Sequence, residues 1–268
     1  LEHIGTPPWT RQKILDALEE FHDVYALRPI LDNISGIKAP HALAVWFIAR
    51  ELSPEVIVES GVLRGQSTWL LEQACPDAQI ISIDVDLSKR VYISDKVDYV
   101  DQDFATLDWS KVPTDRSLIF FDDHQNAFNR LKQCRQFGFR NLIFDDNYPS
   151  LQGNCYSLKK VFSGSGFNGH GDTYLLRNLS DTRSDNDLYT QEFIARNDSD
   201  AKIVRQELEL YYEFPPVFKR ELTRWGDKWS QEQYPTPASL LKEKTEKIHD
   251  IFWDDANSYT WICYVCLK

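Results

Sequence analysis

Apolar side chains at Ile14, Leu18, Phe21 and Tyr25 fall on one face of a helix, and their spacing predicts a helix over residues 11–25. A loop with Pro29, Asn33 and Gly36 separates it from a second predicted helix over residues 40–52. That helix is apolar on nearly every side, so it is expected to be packed between other elements. From residue 55 the pattern changes. Short apolar runs at 55–59, 79–83, 117–121 and 141–144 read as strands, residues 98–101 are a candidate short third strand, and helices are predicted between them at 67–74 and 126–137. Such alternation predicts a mostly parallel sheet covered on both faces. After residue 150 the rhythm is lost. Residues 178–200, rich in Asp, Asn, Ser and Thr, read as a surface excursion. Helices are expected at 201–212, 216–225 and 239–252, and a closing strand at 259–267.

Composition narrows the partners. Among 268 residues, 41 acidic side chains outweigh 30 basic ones, for a formal charge of −11. This balance argues against nucleic acid, whose phosphates need a basic surface. No apolar run approaches the roughly 18 residues of a membrane span. The longest, residues 42–48, is cut off by Arg50 and Glu51. The first residues lack the basic-then-apolar layout of a signal peptide. Five cysteines, an odd number, do not form a disulfide framework, so a reduced, cytoplasmic setting is expected. Asn-x-Ser triplets at Asn33, Asn178 and Asn197 change this little.

The most informative stretch runs Glu59-Ser60-Gly61-Val62-Leu63-Arg64-Gly65-Gln66-Ser67, followed by Ile83-Asp84-Val85-Asp86. Gly61 and Gly65 stand at a strand-to-helix turn, where glycine permits unusual backbone angles and close approach of a ligand. Asp84, at the end of the second strand, is placed to accept the ribose hydroxyls of a nucleoside. The loop is Gly-x-x-x-Gly, not the Gly-x-Gly-x-x-Gly of dinucleotide sites. Glu59 just before it would oppose a pyrophosphate but tolerate an ammonium and a sulfonium. Gly164-Ser165-Gly166-Phe167-Asn168-Gly169 does match the dinucleotide pattern, but it follows a predicted helix instead of a strand and reads as a loop.

Two later strands end in matching clusters, Asp122-Asp123-His124 and Asp145-Asp146-Asn147. Neighbouring parallel strands bring both to one sheet edge, where converging carboxylates repel unless a cation joins them. Such oxygen donors suit Mg²⁺ or another divalent cation. A bound cation lowers the pKa of a substrate hydroxyl, and His124 is placed to remove its proton. Asp123 before Gln125 and Asp146 before Pro149 also suit caps and turns.

These motifs resemble those of the class I S-adenosylmethionine-dependent methyltransferases. The likeness is greatest to the group holding catechol O-methyltransferases, macrolide-sugar O-methyltransferases and the cephalosporin hydroxylase family, and it covers residues 40–150. The resemblance implies that Gly61, Gly65 and Ser67 pass the methionine part of the cofactor, Asp84 holds ribose, and Gln102 and Asp103 border adenine. It also implies a metal set. Asp123, Asp146 and Asn147 match the catechol-type pattern, whereas Asp145 and Asp146 match the macrolide-sugar pattern. The spacing between the two clusters is shorter than in those families, and no Lys follows the first. The expectation is a single Rossmann-like α/β methyltransferase domain over 1–268. Its parts are a helical extension (1–38), a cofactor-binding core (39–160), a helical C-terminal insertion or cap (161–257) and a final strand (258–268). Its cofactors would be S-adenosylmethionine and Mg²⁺, with Asp123 and His124 as catalytic candidates. Its acceptor would be a hydroxylated small molecule or carbohydrate, and region 161–257 would cover the site or join a homo-oligomer. The alternatives are a nicotinamide-dependent oxidoreductase and a non-catalytic binding protein.

Overall fold

The computed structural model describes residues 1–150, 152–153, 155–164, 167–169, 172–178, 191–195 and 198–268. Five parallel strands form its centre: β1 (Val56–Ser60), β2 (Gln79–Ile83), β3 (Val97–Val100), β4 (Ser117–Phe121) and β5 (Asn141–Phe144). Their residues alternate between two cores. Ile57, Leu118, Phe120 and Ile143 face one, while Val58, Ile119, Phe121 and Leu142 face the other. A strand buried on both sides has no polar face, which is why β4 and β5 and most of β1 are apolar, while the edge strand β3 keeps an exposed Asp98.

Helices α1 (Arg11–Asp16), α2 (Leu18–Ala26), α3 (Ala39–Leu52) and α4 (Gln66–Ala74) contribute to the first core. The single helix predicted for residues 11–25 is divided at Ala17, whose N–H bonds to Ile14 O in a tight turn. The predicted face persists through the break, with Ile14, Leu18, Phe21 and Tyr25 all buried. Every residue of α3 from Ala39 to Ala49 is buried, as its unbroken apolarity predicts. Helix α5 (Ala127–Phe137) and α6 (Leu158–Ser163) contribute to the second core.

The C-terminal part differs from expectation. The helix predicted over 201–212 is α7 (Ser199–Glu207) followed directly by a strand, β9 (Leu208–Glu213). Leu-Glu-Leu-Tyr-Tyr-Glu carries β-prone aromatics, and pairing with β10 (Cys263–Leu267) overrides its helical spacing. Residues 216–225 form no helix. They run beside Leu240 and Leu241, whose N–H groups donate to Pro216 and Val217 carbonyls. Of the helix expected over 239–252, the structure has a 3₁₀ turn at Lys247–His249 and the short α8 (Asp250–Asp254).

The sheet order is therefore β3-β2-β1-β4-β5-β10-β9, with β10 antiparallel to both its neighbours. A seven-stranded sheet with the sixth position occupied by the reversed last strand is the Rossmann-like methyltransferase arrangement. The chain leaves β1 outward to β2 and β3, then returns to β4 on the other side of β1. That reversal opens a crevice at the carboxyl ends of β1 and β4, where open α/β sheets bind ligands. Separately, β6 (Phe167–Gly169), β7 (Asp172–Asn178) and β8 (Gln191–Ala195) pair as an antiparallel sheet. Residues 167–169 of the decoy glycine motif thus form a strand, while Ser165 and Gly166 lie outside the described residues. So do most of the predicted excursion over 178–200 and the triplet residue Asn197. No helix among the described residues is long and apolar enough to cross a membrane.

A buried polar network joins α6 to β9. Lys159 Nζ donates to both oxygens of Glu213 at 2.7 and 2.5 Å, and Tyr211 Oη donates to Glu213 Oε1 at 2.9 Å. Breaking such a pair leaves one charge without its partner in the interior. Lys159→Met is expected to destabilise the protein by about 3–5 kcal/mol. Chemical denaturation should show Lys159→Met/Glu213→Gln to be the milder change, because no full charge then remains buried.

Candidate functional site

The first loop is built by the main chain around two glycines. Gly61 has φ +103°, and a Cβ there would lie 2.4 Å from the carbonyl oxygen of Asp122. Gly65 has φ +86° and caps the N-terminus of α4, and a Cβ there would lie 2.6 Å from the carbonyl oxygen of Tyr92. Both glycines are thus required by the close approach of protein backbone. Asp84 ties this loop to β2. Its Oδ2 accepts from the N–H groups of Val62 (2.9 Å) and Leu63 (3.1 Å), and its Oδ1 accepts from Asp86 N (2.9 Å).

Above this loop lies a cleft of about 370 Å³, within the usual range for small-molecule sites. Of the residues singled out in the sequence, Gly61, Asp84, Gln102, Asp103, Asp122, Asp123 and His124 line it. Asp86 lines it too, and Lys89 followed by Ser88 holds its carboxyl down to about 2. Glu59, Gly65 and Ser67 are not on the cleft wall. Glu59 is fully buried under the loop. Its Oε2 accepts from Thr68 Oγ1 at 2.5 Å and Ser82 Oγ at 2.6 Å, while Oε1 has no hydrogen-bond partner. Burial pushes this carboxyl above the usual range.

The two acidic clusters resolve into residues with different duties. Asp123 is held on several sides: Oδ2 accepts from Ser60 Oγ (2.7 Å) and Arg130 Nε (3.0 Å), and Oδ1 accepts from Gln125 N (3.2 Å). Asp145 pairs with His41 Nδ1. The amide of Thr260 donates to the opposite nitrogen, His41 Nε2, at 3.0 Å. Since Nε2 accepts, Nδ1 carries the proton and donates to Asp145. Asn147 is buried, donating to Tyr211 Oη (2.9 Å) and accepting from Lys159 N (3.0 Å).

Asp122, His124 and Asp146 remain grouped, with one candidate ligand atom from each lying within 4.8 Å of the others. His124 Nδ1 is 3.3 Å from Asp146 Oδ2. Burial, then Asp145 and Asp146, pushes the Asp122 carboxyl well up. Burial and then Asp145 raise Asp146, against the lowering effect of His124. His124 (φ +53°) and Asp146 (φ +49°) both adopt the left-handed backbone region. Non-glycine residues there carry strain that the surrounding structure must hold in place. Behind this group is a water-sized cavity of about 20 Å³, lined by Asp123, Asp145, Asp146 and Asn147 among others.

Two site residues carry no motif. His41 lies on α3, within an otherwise apolar helix. Arg130 lies on α5 among Ala127, Leu131 and Cys134, and is 1% exposed. A single cation on an apolar helical face is the signal that could have flagged it, since burial of such a charge demands partners.

No family model matches this chain, and no curated protein matches it. Solved structures do overlap it. An SAH-bound methyltransferase from Podospora anserina is 20% identical over 49% of this chain and 62% of its own length, with a TM-score of 0.36. CmcI in its Mg-SAM form is 28% identical over 40% of this chain and 52% of its own, with a TM-score of 0.31. The O-methyltransferase TomG from Streptomyces achromogenes, in complex with SAM, is 16% identical over 53% of this chain and 66% of its own, with a TM-score of 0.34. The chain thus spans from about half to two thirds of these structures. Strand order and direction, not these overlaps, define its fold.

Gly61→Ala tests the close approach at the first loop. The added methyl meets Asp122 backbone, and the left-handed φ adds strain. A loss of at least about 1–3 kcal/mol is expected. Thermal unfolding of the variant beside Gly226→Ala provides the check, because a Cβ at Gly226 meets nothing within 4 Å.

Proposed function

We propose that this chain is an S-adenosylmethionine-dependent methyltransferase that methylates a hydroxyl oxygen of a small molecule or carbohydrate, assisted by a divalent cation. One observation carries the reading. Asp84 lines a single cleft at the sheet's reversal point together with Asp122 and His124, and Asp146 adjoins them. The residues fit both groups. Asp84 accepts three backbone N–H bonds, which leaves acceptor capacity on a carboxylate for a ribose hydroxyl. The acids along the cleft oppose a pyrophosphate and favour a cationic nucleoside. Among the clustered donors, two carboxylates and an imidazole accommodate Mg²⁺, and the imidazole widens the choice to Mn²⁺ and other first-row ions.

When bound, the cofactor supplies an electrophilic methyl group and the cation lowers the pKa of the acceptor hydroxyl. The chain's own work is positioning and proton handling. The first loop and Asp84 orient the nucleoside, and Asp122, His124 and Asp146 hold the cation. Orientation of the acceptor for in-line attack contributes much of the acceleration in reactions of this kind. A second reading is favoured by the 3.3 Å contact of His124 with Asp146. There, His124 takes the hydroxyl proton and Asp146 orients its ring, a pairing that contributes about 10²–10⁴-fold to rate.

Calorimetric titration with S-adenosylhomocysteine, in magnesium and again in EDTA, tests the cofactor assignment. Micromolar binding is expected, with a loss of at least about tenfold in Asp84→Ala. Heat with NADH and none with S-adenosylhomocysteine would sink the reading in favour of a nicotinamide enzyme. Once an acceptor is in hand, Asp146→Asn should abolish metal-dependent turnover while sparing cofactor binding. Turnover indifferent to EDTA would instead favour His124 as the base.

A further inference from the structure

Asp103 and Asp123 are both held by one buried guanidinium. Arg130 Nε and Nη2 lie 3.0 and 2.9 Å from Asp123 Oδ2. Its Nη1 and Nη2 donate to the two oxygens of Asp103 at 3.0 and 2.6 Å, and Nη1 also reaches Gln133 Oε1 at 3.1 Å. The guanidinium carbon is 5.7 Å from the ring centroids of both Phe104 and Phe121. Arg130 therefore joins the loop after β3 to the loop after β4 along one wall of the cleft.

We propose that Arg130 is a positioning residue that divides the acids of the sheet edge between two duties. By holding Asp103 and Asp123 it leaves Asp122, His124 and Asp146 as the group that takes a divalent cation. The inference rests on the cation reading given above. Asp123 stands between Asp122 and His124 in the chain and lines both the cleft and the cavity behind it. Its carboxylate is a hard oxygen donor of the kind such cations recruit. The guanidinium and Ser60 occupy that carboxylate in fixed directions and keep it from the cation. A lysine offers one point charge where this site uses a planar fork on two carboxylates, so it substitutes only in part. An ion pair serving stability alone would affect unfolding without altering which acids bind metal.

Titration of the full chain with Mn²⁺, followed by the electron paramagnetic resonance signal of the free ion, separates these roles without needing a substrate. Asp122→Asn and Asp146→Asn are expected to weaken Mn²⁺ binding by at least about tenfold, and Asp123→Asn by less than about twofold. Arg130→Gln releases Asp123 as a further charged oxygen donor and is expected to tighten binding at least about threefold. Adding Asp123→Asn to Arg130→Gln should remove that gain, and Arg130→Lys should fall between Arg130→Gln and the parent. Asp123→Asn binding as weakly as Asp146→Asn overturns the proposal, as does an Arg130→Gln variant that folds and binds Mn²⁺ unchanged. Should Arg130→Gln fail to melt cooperatively, the comparison of Asp123→Asn with Asp146→Asn decides by itself. A parent chain that binds S-adenosylhomocysteine but no Mn²⁺ overturns the cation reading and this proposal together. Normal Mn²⁺ binding by the parent confines any failure to Arg130.

Discussion

Mutual repulsion of carboxylates at one edge of the sheet is the constraint on which the site depends. Parallel strands deliver their C-terminal residues to the same edge. A chain that ends β2, β4 and β5 in aspartates therefore concentrates negative charge there. Desolvation adds to the crowding and, with the neighbouring carboxylates, pushes the Asp122 and Asp146 carboxyls up. The fold answers with two hydrogen-bond donors, a guanidinium and an imidazole, drawn from helices on opposite faces of the sheet. Arg130 from α5 takes Asp123 and Asp103, and His41 from α3 takes Asp145. Each matched acidic pair thus commits one member to structure and leaves the other beside His124.

The remainder of the architecture keeps that edge in register. Asn147, next to Asp146, is bound to Tyr211 on β9 and to the backbone of Lys159 on α6. Tyr211 and Lys159 both meet at Glu213, so the position of the β5 loop is tied to the far edge of the sheet. The reversed β10 sits between β5 and β9, and Trp261 just before it accepts the Asn147 N–H on its carbonyl. Strain at Asp146 is held by these connections to its neighbour Asn147, in keeping with the way strained backbone is retained where surrounding contacts over-determine it.

How much of this could be read from the residues varies with the range of the interactions. Strands β1, β4 and β5 and helix α3 were legible because burial on both sides leaves an unmistakable apolar run, whereas the edge strand β3, with an exposed Asp98, left a weaker trace. Strand β9 was not, because its apolar positions also suit a helix and its choice depends on β10, some fifty residues later. Residues 216–225 depend on distant partners in the same way: the Pro216 and Val217 carbonyls accept from Leu240 and Leu241, and Phe218 packs on His249 and Trp253. At the site, the Gly61 loop and Asp84 stood out by spacing. Which acid in each pair remained beside His124 could not be read, since the two sequence patterns carried over for the metal set disagreed by one residue. The partners that separate them, Arg130 and His41, belong to no motif.

The sequence by itself determined a parallel α/β sheet, the glycine turn after its first strand, the acid after its second, and the convergence of two aspartate pairs on one edge. These follow from local periodicity and from the rule that parallel strands end together. Tertiary structure alone decided that Asp123 would be paired with a guanidinium and Asp145 hydrogen-bonded by an imidazole while Asp122 and Asp146 gathered with His124, and that Glu59 would lie beneath the loop instead of on the cleft. Those outcomes depend on which charges become neighbours after desolvation. That neighbourhood is set by helices packed across the sheet, at separations in the chain that no local pattern encodes.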